Sequence, residues 1–145
     1  MNDKPARQFL AVAPLFRVAA IEPATAYCRD VLGFTAERIW GEPPCFSMPH
    51  RDGLTIMLSE AGMLSEAGDK SRIQPNGADG ESWDAYIWVM DADALFAEFK
   101  ANGAQVAYEP TDRPFYGNRE FAIRDLDGYV IAFAHDIAAK AARHP

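Results

Sequence analysis

Asp84, Tyr86 and Trp88 alternate along one short apolar run, so an extended strand would put a carboxylate and two aromatic rings on one face. That set suits non-covalent chemistry. Flat rings stack on planar or cationic compounds, and a carboxylate offsets positive charge. Phe46 and Met48 share a face in the same way, and Met57 is expected to join them as apolar lining. Tyr116 adds a further ring and Glu120 a second carboxylate, with Arg119 and Arg124 as available counter-charges. Trp40, Trp83 and Phe115 fall near strand ends or loops, where binding clefts open. Two other outcomes stay open for these residues. The rings could fill a core, and Glu120 could be engaged by Arg124.

Groups for bond-breaking chemistry are sparse, and no catalytic residue is assigned. The chain has no G-x-S-x-G, no glycine-rich phosphate loop, no H-E-x-x-H and no C-x-x-C. Cys45 and His50 are expected on one strand and its turn, a poor arrangement for a nucleophile and its base. His135 and His144 fall at a strand end and in the tail. Cys28 and Cys45 are too few for a disulfide framework, and Cys28 is expected to be buried. Composition narrows the partners. Among 145 residues, 14 are Lys or Arg and 21 are Asp or Glu, a net charge of −7. That balance offers no basic surface for nucleic acid. With 49% apolar residues the chain can build a core, yet no apolar run approaches the roughly 20 residues that span a bilayer. The first residues lack the apolar stretch of a secretory leader, so a cytoplasmic protein is expected.

Two copies of one unit must position these side chains. Arg51-Asp52-Gly53-Leu54 and Leu126-Asp127-Gly128-Tyr129 each pair a turn with an apolar strand. Ahead of each lies an amphipathic helix that stops at a glycine. Ala24, Tyr27, Cys28 and Val31 form one stripe before Gly33, and Ala92, Leu95, Phe96 and Phe99 form the other before Gly103. Pro23 suits a first helical turn, and Asp91 is a natural N-cap for Ala92–Ala101. Strands are expected at Phe9–Val18, Thr35–Trp40, Cys45–Met48 and Leu54–Ser59, then at Asp84–Val89, Gln105–Glu109, Arg119–Arg124 and Tyr129–Ala134. The expected organisation is one α+β domain over residues 1–145. It holds two βαβββ modules, about 9–60 and 84–134, joined by a loop at 61–83 with one helical turn around Met63–Ala67. A short helix follows at 136–143.

Glu22-Pro23-Ala24-Thr25-Ala26-Tyr27-Cys28-Arg29-Asp30-Val31-Leu32-Gly33-Phe34 resembles the first-helix motif of the vicinal oxygen chelate superfamily. That group includes glyoxalase I, extradiol dioxygenases and the bleomycin-resistance proteins. Asp91-Ala92-Asp93-Ala94-Leu95 with Gly103-Ala104 is similar to the matching helix of its second module. Tyr116-Gly117-Asn118-Arg119-Glu120-Phe121-Ala122-Ile123-Arg124-Asp125-Leu126-Asp127-Gly128 resembles the bleomycin-resistance branch, and the likeness spans roughly residues 10–134. The resemblance implies half-barrel modules around a cleft, with clefts completed across a homodimer in the small antibiotic-binding members. It also implies that Asp84, Tyr86 and Trp88 look into that cleft.

The enzymes of the superfamily hold a divalent ion on the first and last strands of each module. Carried onto this chain, those positions fall at Ala13, Met57, Asp84 and Ala132, of which only Asp84 can bind a hard cation. A register slip does not help, since Glu60 and His135 each lie three residues beyond the relevant position. No metal and no other cofactor is therefore expected. The implied function is non-covalent sequestration of a small aromatic or cationic organic compound. Two alternatives remain: a metal-dependent lyase or oxidoreductase with displaced ligands, and an interaction module whose cleft is filled by its own rings.

Overall fold

The computed structural model describes residues 3–62, 73–79 and 82–143. The first unit runs β1 (Leu15–Val18), α1 (Ile21–Asp30), β2 (Ile39–Trp40), β3 (Phe46–Ser47), a hairpin of β4 (His50–Arg51) and β5 (Leu54–Thr55), and β6 (Met57–Glu60). The second runs β7 (Ala85–Trp88), α2 (Ala92–Ala101), β8 (Gln105–Arg113), β9 (Asn118–Arg124) and β10 (Val130–Asp136), followed by α3 (Ile137–Arg143). Each unit makes a four-stranded mixed sheet, ordered β1-β6-β3-β2 and β7-β10-β9-β8. In both, the strand before the helix pairs in parallel with the last strand: Leu15 opposite Met57, and Tyr86 opposite Ala132. This is the expected α+β design, built twice and not closed into a barrel.

Local chemistry explains the elements. In α1, Ile21, Ala24, Thr25 and Cys28 fall on one stripe and are buried. The Asp91 carboxylate accepts the Ala94 amide at 3.1 Å and caps α2. Asp52 (φ 52°) and Gly53 (φ 82°) both adopt left-handed backbone, as a tight hairpin turn requires. Asp136 caps α3 by accepting the Ala139 amide at 2.8 Å.

Several expected strands are shorter or divided. Of Phe9–Val18 only Leu15–Val18 is strand; just before it the Pro14 carbonyl accepts the Met57 amide at 2.9 Å, while proline itself has no N–H to give a ladder. Leu54–Ser59 splits at Ile56, whose side chain is fully buried while its amide donates to the Pro49 carbonyl. Of Thr35–Trp40 only Ile39–Trp40 belongs to the sheet, while Thr35 bridges to His50. The helical turn expected around Met63–Ala67 lies outside the described residues.

The helices cover one face of each sheet, and both covered faces enter a single core. Phe16, Ile56 and Leu58 from the first unit join Phe99, Phe121, Ile131 and Phe133 from the second. Phe121 stacks on Phe133 with centroids 5.3 Å apart, and Phe96 and Phe99 meet its ring edge-on. Tyr129 stacks on Phe16 at 4.6 Å, and its hydroxyl donates to the Arg17 carbonyl at 2.6 Å. Asp127 accepts the Ala19 amide at 2.9 Å, and the Tyr27 hydroxyl donates to the Arg124 carbonyl at 3.2 Å. Among the described residues, no helix is long and apolar enough to cross a membrane.

Asp125 lies half-buried at this junction and accepts the amides of Asp127 and Tyr129. Burial raises its pKa from 3.8 to about 6, with the two amide bonds pulling the other way. A carboxyl whose folded pKa lies above its unfolded one favours the folded state most below the unfolded pKa. That contribution is lost as pH rises through about 4 to 6. Asp125→Asn keeps the amide acceptor but removes the charge. It should lie close to wild type at pH 4 and gain up to about 3 kcal/mol relative to it by pH 7. Urea unfolding at both pH values measures the difference. A constant offset between the two proteins would contradict this reading of the half-buried carboxyl.

Candidate functional site

The faces turned away from the helices remain for ligands. On the second sheet, strand register sets one row as Tyr86, Ala132, Ala122 and Tyr108, and the next as Trp88, Ala134, Glu120 and Thr111. Ala122, Ala132 and Ala134 are wholly buried and form a floor of small side chains. Tyr86 and Tyr108 pack against that floor together with Val130 and Ala107.

Glu120 stands at the centre of this face with 0% exposure. Its carboxylate accepts hydrogen bonds from the hydroxyls of Tyr108 and Tyr116, and from that of Tyr86 at 3.1 Å. The Arg113 guanidinium lies 3.7 Å away as its counter-charge. Burial and the bond to Glu120 push the Tyr108 phenol up to about 12. Burial, then the bond to Glu120, also raises Tyr116, and burial is the largest cause for Tyr86. The three phenols therefore stay protonated at neutral pH and act as donors. A buried carboxylate needs this: one left without partners costs several kcal/mol by order of magnitude.

Asn118, two residues before Glu120 on β9, donates from Nδ2 to the Tyr86 hydroxyl at 2.9 Å. Its Oδ1 is buried and, among the described residues, has no hydrogen-bond partner. Trp83 donates from Nε1 to the Tyr108 hydroxyl at 2.8 Å. Trp83, Tyr86 and Trp88 then follow one another edge to face, with centroids 4.7 and 5.6 Å apart. Trp88 is 62% exposed, so its ring is open to a partner. A pocket of about 100 Å³ lies beside this ladder, between Trp83, Tyr108, Arg113 and Arg124.

The site residues expected from sequence fall into two groups. Tyr86, Trp88, Tyr116 and Glu120 come together on the second sheet. Phe46 and Met57 share the open face of the first sheet, through Phe46 opposite Ser59, and Met48 lies just past β3. Trp40 contacts Phe46 edge-on at 6.0 Å. Asp84 is engaged by backbone: its carboxylate accepts the amides of Asn76 (2.7 Å), Gly77 (3.4 Å) and Val130 (2.9 Å). It fastens the 3-10 turn Asn76–Asp79 to the start of β10. Arg124 does not pair with Glu120; it donates to the Gly77 carbonyl at 3.4 Å. Arg119 is held by Asp93 and Asp112, each at 2.9 Å. Tyr108, Asn118 and Arg113 escaped the sequence reading. Alternation along Asn118-Arg119-Glu120 was the available signal for Asn118.

Elsewhere Asp91, Asp93 and His135 bring one ligand atom each within 4.8 Å of the others. These atoms already have partners. His135 Nδ1 accepts the Ala92 amide at 2.8 Å, Lys140 lies 3.1 Å from Asp91, and Arg119 binds Asp93. Burial lowers the pKa of His135, and Lys140 pushes the same way. The group is an ion-pair network that ties α2 and α3 to β10.

A family model described as Glyoxalase/Bleomycin resistance protein/Dioxygenase superfamily matches residues 11–133. The chain belongs to this superfamily. Among solved structures, TioX from Micromonospora sp. ML1 is similar with a TM-score of 0.67 and 20% identity, covering 88% of this chain and 99% of TioX. TnmS3, an antibiotic binding protein from Streptomyces sp. CB03234, is similar with a TM-score of 0.62 and 19% identity, covering 90% and 99% of the two chains. A glyoxalase-related enzyme from Clostridium phytofermentans is similar with a TM-score of 0.68 and 14% identity, covering 92% and 100%. At such identities these likenesses establish the fold. No curated protein matches the sequence.

The positions at which enzymes of the superfamily hold their metal do not fit an ion here. Ala132 is the floor beneath the tyrosines, Met57 offers a thioether, Ala13 offers no donor, and Asp84 is occupied by three amides. On the second sheet the same ground is taken by a buried carboxylate with three phenols.

Proposed function

We propose that this chain captures a small planar, positively charged organic compound without reacting with it. It would act in the cytoplasm as a homodimer that completes the binding cleft. The observation that carries the reading is Glu120. A carboxylate with no solvent exposure sits beneath a ladder of aromatic rings, held by three phenols. Arg113, 3.7 Å away, offsets part of its charge, and what remains acts through low-dielectric surroundings that weaken attraction for a cation less than water would. Trp88 and Tyr116 offer ring surface for stacking. Asn118, buried beside the ladder, donates to the Tyr86 hydroxyl and holds that ring in place. Phe46, Met48 and Met57 stand on the open face of the first sheet, and in the proposed homodimer this face of one copy would supply the apolar wall opposite the Glu120 face of the other. Membership of a superfamily that includes bleomycin resistance proteins, and the fold shared with an antibiotic binding protein, support the choice of ligand class.

Titration with metal-free bleomycin and a panel of planar cations, followed by tryptophan fluorescence, tests the reading. At least one compound should quench the emission saturably, and Trp88→Ala should weaken that compound about 10-fold. Silence across the panel, or full affinity in Trp88→Ala, would count against it.

A further inference from the structure

Alternation along β9 places Arg124, Ala122 and Glu120 on the same open face, a cation at one end and an anion at the other. Four residues of strand set the Cα atoms of the two charged residues roughly 13 Å apart. The pocket of about 100 Å³ lies at the Arg124 end. Its walls include the rings of Trp83 and Tyr108, tied together by the 2.8 Å bond from the indole Nε1 to the phenol oxygen, with Ala107 and Val130. Two guanidiniums, Arg113 and Arg124, also line it, and among the described residues no carboxylate does. A water molecule needs roughly 10–15 Å³ of such space, so the pocket admits a group of several heavy atoms.

The positive charge here is incompletely matched. Two carboxylates lie on the same face, and each is already engaged. Asp84 accepts the amides of Asn76, Gly77 and Val130. Glu120 accepts three phenols and stands 3.7 Å from Arg113 Nε, so those two ions offset one another. Half-buried Arg124 has no ion pair among the described residues; its guanidinium makes a long bond of 3.4 Å to the Gly77 carbonyl. A carboxylate matches a guanidinium in plane and in spacing, two oxygens to two N–H groups. The flat walls then cover the planar group that bears it. Phosphate fits less well. Its remaining oxygens would face Ala107, Val130 and ring carbons, which offer no donors.

We propose that this pocket binds the carboxylate of a small planar organic acid, with Arg124 as its principal partner and the Trp83 and Tyr108 rings against the flat group. The site selects the opposite sign of charge from the Glu120 face, and it stands whether or not a cation binds there.

Titration of the full chain with benzoate, followed by the Trp83 indole N–H resonance in two-dimensional proton–nitrogen NMR, tests it. The resonance should shift saturably. Benzamide, of the same shape without the charge, and inorganic phosphate should each bind about 10-fold or more weakly than benzoate. Arg124→Met keeps the aliphatic stem and should weaken benzoate about 10-fold or more, while Arg124→Lys, charged but lacking the fork, should fall between. The dispersion of each spectrum reports whether the variant is folded. Benzoate that leaves the resonance unmoved would overturn the proposal. So would benzamide or phosphate that binds as tightly, or folded Arg124→Met with full affinity for benzoate. Saturable benzoate binding beside a panel of cations that gives no response would sink the Glu120 reading alone.

Discussion

Glu120→Ala is expected to lower the unfolding free energy by about 3–5 kcal/mol, the range for breaking a buried charge network by removing one member. The reason is an accounting of donors. Tyr86, Tyr108 and Tyr116 all direct hydroxyls at this carboxylate, and Arg113 lies 3.7 Å from it. Truncation strands those donors around a void above the alanine floor. Glu120→Gln should cost less, because the amide keeps the volume and one acceptor oxygen. Its NH₂ would still face hydroxyls that are themselves donating. Tyr108→Phe removes one donor of three and should cost about 1.5–3 kcal/mol, the usual worth of a hydrogen bond to a charged group. Urea unfolding of the three variants gives the order. A Glu120→Ala cost under about 1 kcal/mol would mean that the network contributes little net stability.

A loss of similar size is expected at Phe121→Ala, for a different reason. Phe121 is wholly buried and touches the rings of Phe96, Phe99 and Phe133, which come from α2 and β10. Removing a ring from a close-packed core of this kind costs about 3–5 kcal/mol through lost transfer energy and the remaining cavity. The two variants should part company in binding. Phe121 lies on the helix side of β9 and Glu120 on the open side. Folded Phe121→Ala should therefore bind ligand nearly as wild type does, while Glu120→Ala should not. Equal loss of affinity in both would show that binding simply follows global stability.

The sequence made some levels of this structure legible and hid others. Helix α2 was readable to its ends, because Asp91 caps it, Gly103 stops it and the apolar stripe between them has a helical period. The duplicated Asp-Gly turns announced the two-unit plan. The strands of the first unit were harder. Ile56 continues the apolar pattern of Leu54–Ser59, so nothing local marks the break between β5 and β6; a tertiary bond to Pro49 makes it. Phe9–Val12 has strand composition but no neighbour, since a ladder depends on a partner that composition does not reveal. At the site, alternation grouped Tyr86 with Trp88 and picked out Glu120. It could not show that Asp84 would be occupied by three backbone amides, nor that Tyr108 would reach Glu120 from the neighbouring strand. Both depend on register and side-chain direction, which are fixed only once the sheet has formed.

On the proposed reading, the open face of the second sheet holds an organic cation and releases it unaltered. Equilibrium dialysis against the compound that quenches tryptophan emission, with mass spectrometry of what is recovered, tests this most directly. The expected result is one saturable site per chain, weakened in Trp88→Ala, and a compound of unchanged mass on both sides of the membrane. Recovery of a chemically altered compound, or retention unaffected by Trp88→Ala and Glu120→Gln alike, would contradict it.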